Sequence, residues 1–251
     1  MGLTQDIKDT IKLLKSTDIN GCITGSSMLD EDFDTWESYP DVDVFVFAEN
    51  QLLSAADLLV YKYGFKPLTE GEEWKLNRIR NKGMQKNASL QTLKLKNGDV
   101  VINLTWKYGK TTMADVLASF DMSIIMIGYD IKHKFGMDLR CKHDAFIFDD
   151  NGNKWSDSDN VAMPNPLRDQ DVDMYGVEMW VRQFDRVIKY WNRGYDTRPM
   201  AAFYIDLING VIDKGQLFPS VKSEAAYKLF VETYEPLRDK MIEWLEDKEE
   251  C

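Results

Sequence analysis

The chain has 251 residues, enough for one large domain or two modest ones, and a hydrophobic fraction of 44% that can fill a core. Its 42 acidic and 31 basic side chains leave a net charge of −11, a field that repels nucleic acid on average, so a polynucleotide has to meet a local basic patch. Three scattered cysteines (Cys22, Cys141, Cys251) and two histidines (His133, His143) supply neither a disulfide framework nor a paired-cysteine zinc site, so any divalent metal would rest on carboxylates, which suits Mg²⁺ (or Mn²⁺) better than zinc.

No apolar run approaches the ~18–20 residues of a membrane span. Met1-Gly2-Leu3-Thr4-Gln5-Asp6 has neither the basic start nor the apolar run of a secretory signal. The expectation is a cytoplasmic protein with no membrane partner.

In chain order, Asp6 to Ser16 place Ile7, Ile11 and Leu14 on one helical stripe. A short strand, Gly21–Thr24, then runs into Gly25-Ser26-Ser27. Asp41 to Phe47 is the clearest strand, alternating β-branched and aromatic residues behind Tyr39-Pro40. Leu52 to Tyr63 reads as a helix with Gly64 as its stop. Leu90–Leu95 and Val100–Trp106 flank Asn97-Gly98, a strong hairpin signal. Thr111 to Phe120 reads as a helix and Met122–Gly128 as an apolar strand, with a peripheral hairpin expected around Ala145–Phe148 and Asn151-Gly152.

Past Pro164 and Pro166 the legible pattern is helical: Tyr175–Trp191, Pro199–Lys214 and Ser223–Lys248. The expected fold is α/β (α+β), a mixed-sheet domain over residues 1–160 followed by an all-helical domain over 161–251.

The chemistry gathers at two places. Glycine after a strand lets the backbone turn tightly and approach a phosphate, and Ser26 or Ser27 adds a hydroxyl donor. Asp41 and Asp43, two apart in a strand, point to the same side. Two carboxylates held side by side repel each other unless a cation lies between them, and a hard divalent cation beside a triphosphate meets that need.

A Gly-Ser turn, a spacer and an Asp-X-Asp strand together resemble the polymerase-β-type nucleotidyltransferase superfamily, over roughly residues 20–130. The resemblance implies a Mg²⁺-dependent transfer of a nucleoside monophosphate from an NTP such as ATP to a hydroxyl on RNA, a protein or a small molecule. It implies that Asp41 and Asp43 hold the metal and that Gly25, Ser26 and Ser27 seat the triphosphate. A third carboxylate normally follows on a later strand, where Val100 to Trp106 instead puts Asn103. An amide brings an oxygen ligand but no charge and no base. Three outcomes stay open: a two-carboxylate enzyme, one that recruits Asp121 to activate the acceptor, or an inactive relative that binds nucleotide or RNA. An antitoxin-like or defence-related interaction protein is a further alternative.

Two basic groups complete the reading. Lys75, Arg78, Arg80 and Lys82 belong to a stretch of five cations without an acid, suited to a phosphate clamp or to a solvated loop. Arg182, Arg186, Lys189 and Arg193 share one helical face, suited to a cleft or to a salt-bridged surface. Trp180, Tyr190, Trp191 and Tyr195 read first as core, and Cys22 as a small buried hydrophobe.

Overall fold

A computed structural model describes residues 5–29, 41–68, 90–140, 161–165, 174–214 and 221–249. Seven strands form one mixed sheet: β1 (Gly21–Thr24), β2 (Asp41–Val46), β3 (Lys66–Pro67), β4 (Leu90–Asn97), β5 (Val100–Lys107), β6 (Ile127–Asp130) and β7 (Phe135–Asp138). Their spatial order is β3-β4-β5-β2-β1-β6-β7. Every neighbouring pair is antiparallel except β2 with β5, which run parallel at the centre. Around the sheet lie α1 (Gln5–Ser16), α2 (Glu49–Asp57) and α3 (Met113–Leu117). The remaining described helices are α4 (Met174–Val181), α5 (Phe184–Trp191), α6 (Arg198–Lys214) and α7 (Val221–Glu249). The fold class is therefore the mixed α/β one that the strand and helix patterns predict, with a helical C-terminal region. Among the described residues no helix is long and apolar enough to cross a membrane.

The chain divides into two compact units, Met1–Phe120 with Ile125–Lys142, and Asp121–Ile124 with His143–Cys251. The domain boundary expected at residue 160 falls at the end of 141–160, outside the described residues, as does the hairpin expected there.

In the first unit, strand alternation decides the layers. Val42, Val44 and Val46 are fully buried on one face of β2, the face on which α1 and α2 pack. Helix α1 contributes Ile7, Thr10 and Leu14 to that layer, with Ile11 only half-buried. Lys134, from the turn between β6 and β7, donates to the Lys15 and Thr17 carbonyls at 2.7 and 2.6 Å, placing a cation at the carbonyl end of α1. On the opposite face Phe45 and Phe120 pack against a cluster of Cys22, Phe47, Met113, Val116, Leu117, Met126 and Leu139. Burying a residue such as Leu117 contributes about 1.5–3 kcal/mol. That cluster covers the middle of the second face and leaves the Asp41 end half-exposed.

Several sequence expectations are corrected here. The helix expected over 52–63 begins at Glu49 and closes through a π turn, Leu58–Lys62, before Gly64 at φ 73°. Met122–Gly128 is not one strand: Met122 bridges Pro164, Ser123–Ile125 is a 3-10 turn, and the strand starts at Ile127. The Ser123 amide bonds the Met163 carbonyl while its hydroxyl accepts from the Met163 amide, which draws this segment away from the sheet ladder. A continuous apolar run has no period with which to announce such a departure.

In the second unit, the expected helix over 175–191 is broken at Arg182-Gln183. Gln183 N–H bonds Trp180 and Arg186 N–H bonds Gln183, a tighter i to i+3 spacing. Aromatic burial dominates this core: Trp180, Phe184, Tyr190, Tyr195, Tyr204 and Phe230 are all buried. Trp180 meets Phe203 edge-on at 5.1 Å between ring centres.

Candidate active site

β1 ends at Thr24, and the chain turns at once into the 3-10 helix Gly25–Met28. Gly25 has φ 76°, in the left-handed region that disfavours side chains. A Cβ placed on Gly25 would lie 2.6 Å from Asp43 Oδ2. Glycine is thus required twice over, for the turn and for the close approach of the backbone to a carboxylate. Ser26 and Ser27 are buried, and the Ser27 hydroxyl turns back to the Thr24 carbonyl at 3.3 Å. Thr24 in turn bonds Ile127 O at 2.8 Å, anchoring the end of β1 to β6.

Register places the other side chains. Asp43 pairs with Thr24 on β1 and with Asn103 on β5, and Asp41 pairs with Val101. Residues opposite one another in neighbouring strands share a face. Asn103 therefore sits beside both aspartates, and its Nδ2 donates to Asp41 Oδ2 at 3.2 Å and to Asp43 Oδ1 at 2.9 Å. One amide group spans the two carboxylates. Its donors offset repulsion that would otherwise separate them. Among the described residues Asn103 Oδ1 is buried and meets no hydrogen-bond donor, an arrangement that costs about 1–3 kcal/mol for a polar atom removed from water.

This donor set suits a hard cation: two carboxylates converge on one point, and a half-turn of the amide would add Oδ1 as a third oxygen. Among the described residues, no three His, Cys, Asp or Glu side chains form a metal-holding group. At this site an amide stands where a third carboxylate would complete such a group.

Asp121 belongs to the second unit and is built into an ion pair. It is 3% exposed, and its Oδ1 accepts from Arg186 at 2.7 Å. Burial works against the Arg186 charge, but the Asp121 carboxylate and the Tyr190 hydroxyl hold the guanidinium above its ordinary value. Among the described residues Asp121 Oδ2 is buried and meets no hydrogen-bond donor. Of the four cations expected on one stripe, Arg186, Lys189 and Arg193 share Tyr190 as a neighbour and Arg182 does not. Arg182, in the helix break, pairs with Glu178 at 3.6 Å, while Lys189 and Arg193 lie over the Tyr190 ring at 5.9 and 5.0 Å. Burial lowers the Arg193 guanidinium, though it stays protonated at neutral pH.

Lys75, Arg78, Arg80 and Lys82 lie outside the described residues, as do Cys141, His143 and Cys251. His133 is exposed and lies against buried Asp130 at 3.1 Å. Cys22 is fully buried, and burial followed by the nearby Asp130 charge pushes its thiol far above the usual range, so it is inert as a nucleophile. Trp180, Tyr190 and Tyr195 are core residues, while half-buried Trp191 packs edge-on with Trp244 at 5.4 Å. The chain matches no protein-family model and no curated protein.

Proposed function

We propose that this chain is a nucleotidyltransferase of the polymerase-β type that moves a nucleoside monophosphate from an NTP, such as ATP, to a hydroxyl acceptor. The observation that supports this most is the convergence of Asp41 and Asp43 on one point, with the Gly25 turn packed against Asp43. Asp41, Asp43 and, through its oxygen, Asn103 would hold Mg²⁺ or Mn²⁺. That ion would supply neutralisation of the charge that builds on the phosphates in the transition state. Gly25 and Ser26 bring backbone close to the site and would seat the triphosphate. In the transfer, the acceptor oxygen forms a bond to the α-phosphorus, the bond to the bridging oxygen breaks, pyrophosphate leaves, and the acceptor proton passes to a base or to water.

One observation favours a second reading. The Asn103 amide already satisfies both carboxylates by hydrogen bonds, an arrangement that holds the pair together without a cation. A nucleotide-binding module that has lost the reaction would keep this geometry.

The test is incubation with α-labelled NTPs, Mg²⁺ and mixed RNA, protein and metabolites. Label transfer that disappears in the Asp41→Ala/Asp43→Ala variant supports the transferase. Retention of label without transfer supports the binding module, and the absence of both transfer and retention supports an interaction protein.

A further inference from the structure

Strands β3, β4 and β5 extend the face that carries the acidic pair. Asn103 is opposite Asp43 on one side and opposite Lys94 on the other, so Asp43, Asn103 and Lys94 form one row across three strands. The next row runs Asp41, Val101, Lys96 and Lys66. Strand alternation sends Leu93 and Leu95 into the core on the opposite face and leaves Lys94 and Lys96 exposed on this one.

These three strands contain no acidic residue, in a chain whose net charge is −11. Among the described residues Lys66, Lys94 and Lys96 form no ion pair. Lys66 and Lys96 are moreover directly opposite one another, and like charges so placed are destabilising. The fold keeps this repelling pair two and three strand spacings, about 10 and about 14 Å, from the strand of the carboxylates. An anion lying over the row would relieve it.

We infer that Lys94 and Lys96, supported by Lys66, bind a phosphate group of the acceptor. The inference rests on the transferase reading above and names its substrate class. The Gly25 turn lies on the β1 side of the acidic pair and the lysines lie on the β4 side. A donor triphosphate on the turn leaves the lysine side for the acceptor. The acceptor is therefore phosphorylated near its reacting hydroxyl, as an RNA end or a small sugar phosphate is, and is neither neutral nor cationic.

The experiment uses the full chain, a fluorescein-labelled RNA hexanucleotide with a free 3′ hydroxyl, and ribose 5-phosphate as competitor. The Lys94→Gln/Lys96→Gln variant should melt no lower than wild type, bind ATP–Mg²⁺ within about twofold and lose about tenfold in RNA affinity, its log–log salt slope falling by about 0.7 for one neutralised phosphate. If ribose 5-phosphate instead of RNA shows the lysine-dependent binding, the phosphate row stands and the acceptor is a small molecule. The inference is overturned if wild type binds neither probe, if the variant binds both as wild type does, or if the variant loses ATP instead. Failure of the transferase reading looks different: Asp41→Ala/Asp43→Ala then leaves ATP–Mg²⁺ binding unchanged while the lysine effect on phosphate probes persists.

Discussion

Replacing Asn103 by aspartate puts a third negative charge where a hydrogen-bond donor now bridges two. Nδ2 lies 3.2 and 2.9 Å from the two aspartate oxygens, so the introduced carboxylate starts near 3 Å from both. Coulomb's law gives about 5 kcal/mol per pair at 3 Å and an effective dielectric of about 20. Relaxation to about 5 Å at a half-exposed sheet end, with a dielectric near 40, brings the two pairs together to about 3 kcal/mol. In EDTA at pH 7 the Asn103→Asp variant should therefore melt about 6–12 °C below wild type. The introduced carboxyl has a folded-state pKa above its unfolded one. The deficit is then absent below about pH 4, the unfolded value, and complete once pH has risen through the folded value. Millimolar Mg²⁺ should remove most of the deficit and raise the variant's melting temperature more than that of wild type, because binding only to the folded state stabilises by mass action. Differential scanning fluorimetry with a Mg²⁺ titration measures both effects. If the variant melts with wild type in EDTA, or Mg²⁺ shifts both proteins equally, the three side chains do not form one cation site.

Gly25→Ala meets a left-handed φ and the Asp43 carboxylate together, and should cost about 1–2 kcal/mol for the backbone alone; calorimetry should also show weaker ATP–Mg²⁺ binding, and unchanged affinity would dissociate the turn from the site. Asp121→Asn tests the acceptor-activating role expected from sequence. A loss of about 100-fold in turnover with nucleotide affinity retained marks a general base, whereas equal losses of melting temperature in Asp121→Asn and Arg186→Met with turnover kept mark a structural ion pair. Thr112 caps α3, accepting from Asp115 N–H at 3.2 Å while the Asp115 carboxylate accepts from Thr112 N–H at 3.0 Å. Thr112→Ala should cost about 1 kcal/mol. The Thr112 side chain is the first cause of the lowered Asp115 pKa, so that stability is present above the ordinary aspartate value and lost as pH falls through the lowered one; equal denaturation midpoint shifts at pH 7 and pH 2 would remove the capping box from the account.

Local patterns in the sequence were enough for much of the first unit. Alternation in Asp41–Val46 specified a strand with its valines inward and both aspartates on one side, because side-chain direction in a strand follows from the backbone alone. Asn97-Gly98 announced the β4–β5 hairpin, and Gly25 after a strand announced a tight turn, each through glycine's access to positive φ. Those signals act over two to four residues. The parallel pairing of β2 with β5 joins positions some 60 residues apart; it made Asn103 the bridge between Asp41 and Asp43 and brought Lys94, opposite Asn103 in the β4–β5 hairpin, into the row of Asp43. Asp121 likewise lay near the expected strand in sequence, but hydrogen bonds between Ser123 and Met163 and the ion pair with Arg186 drew it into the second unit. Side-chain orientation within an element is a local consequence of backbone geometry. The choice of neighbour depends on burial and charge pairing between distant segments, and only the folded chain brings those together.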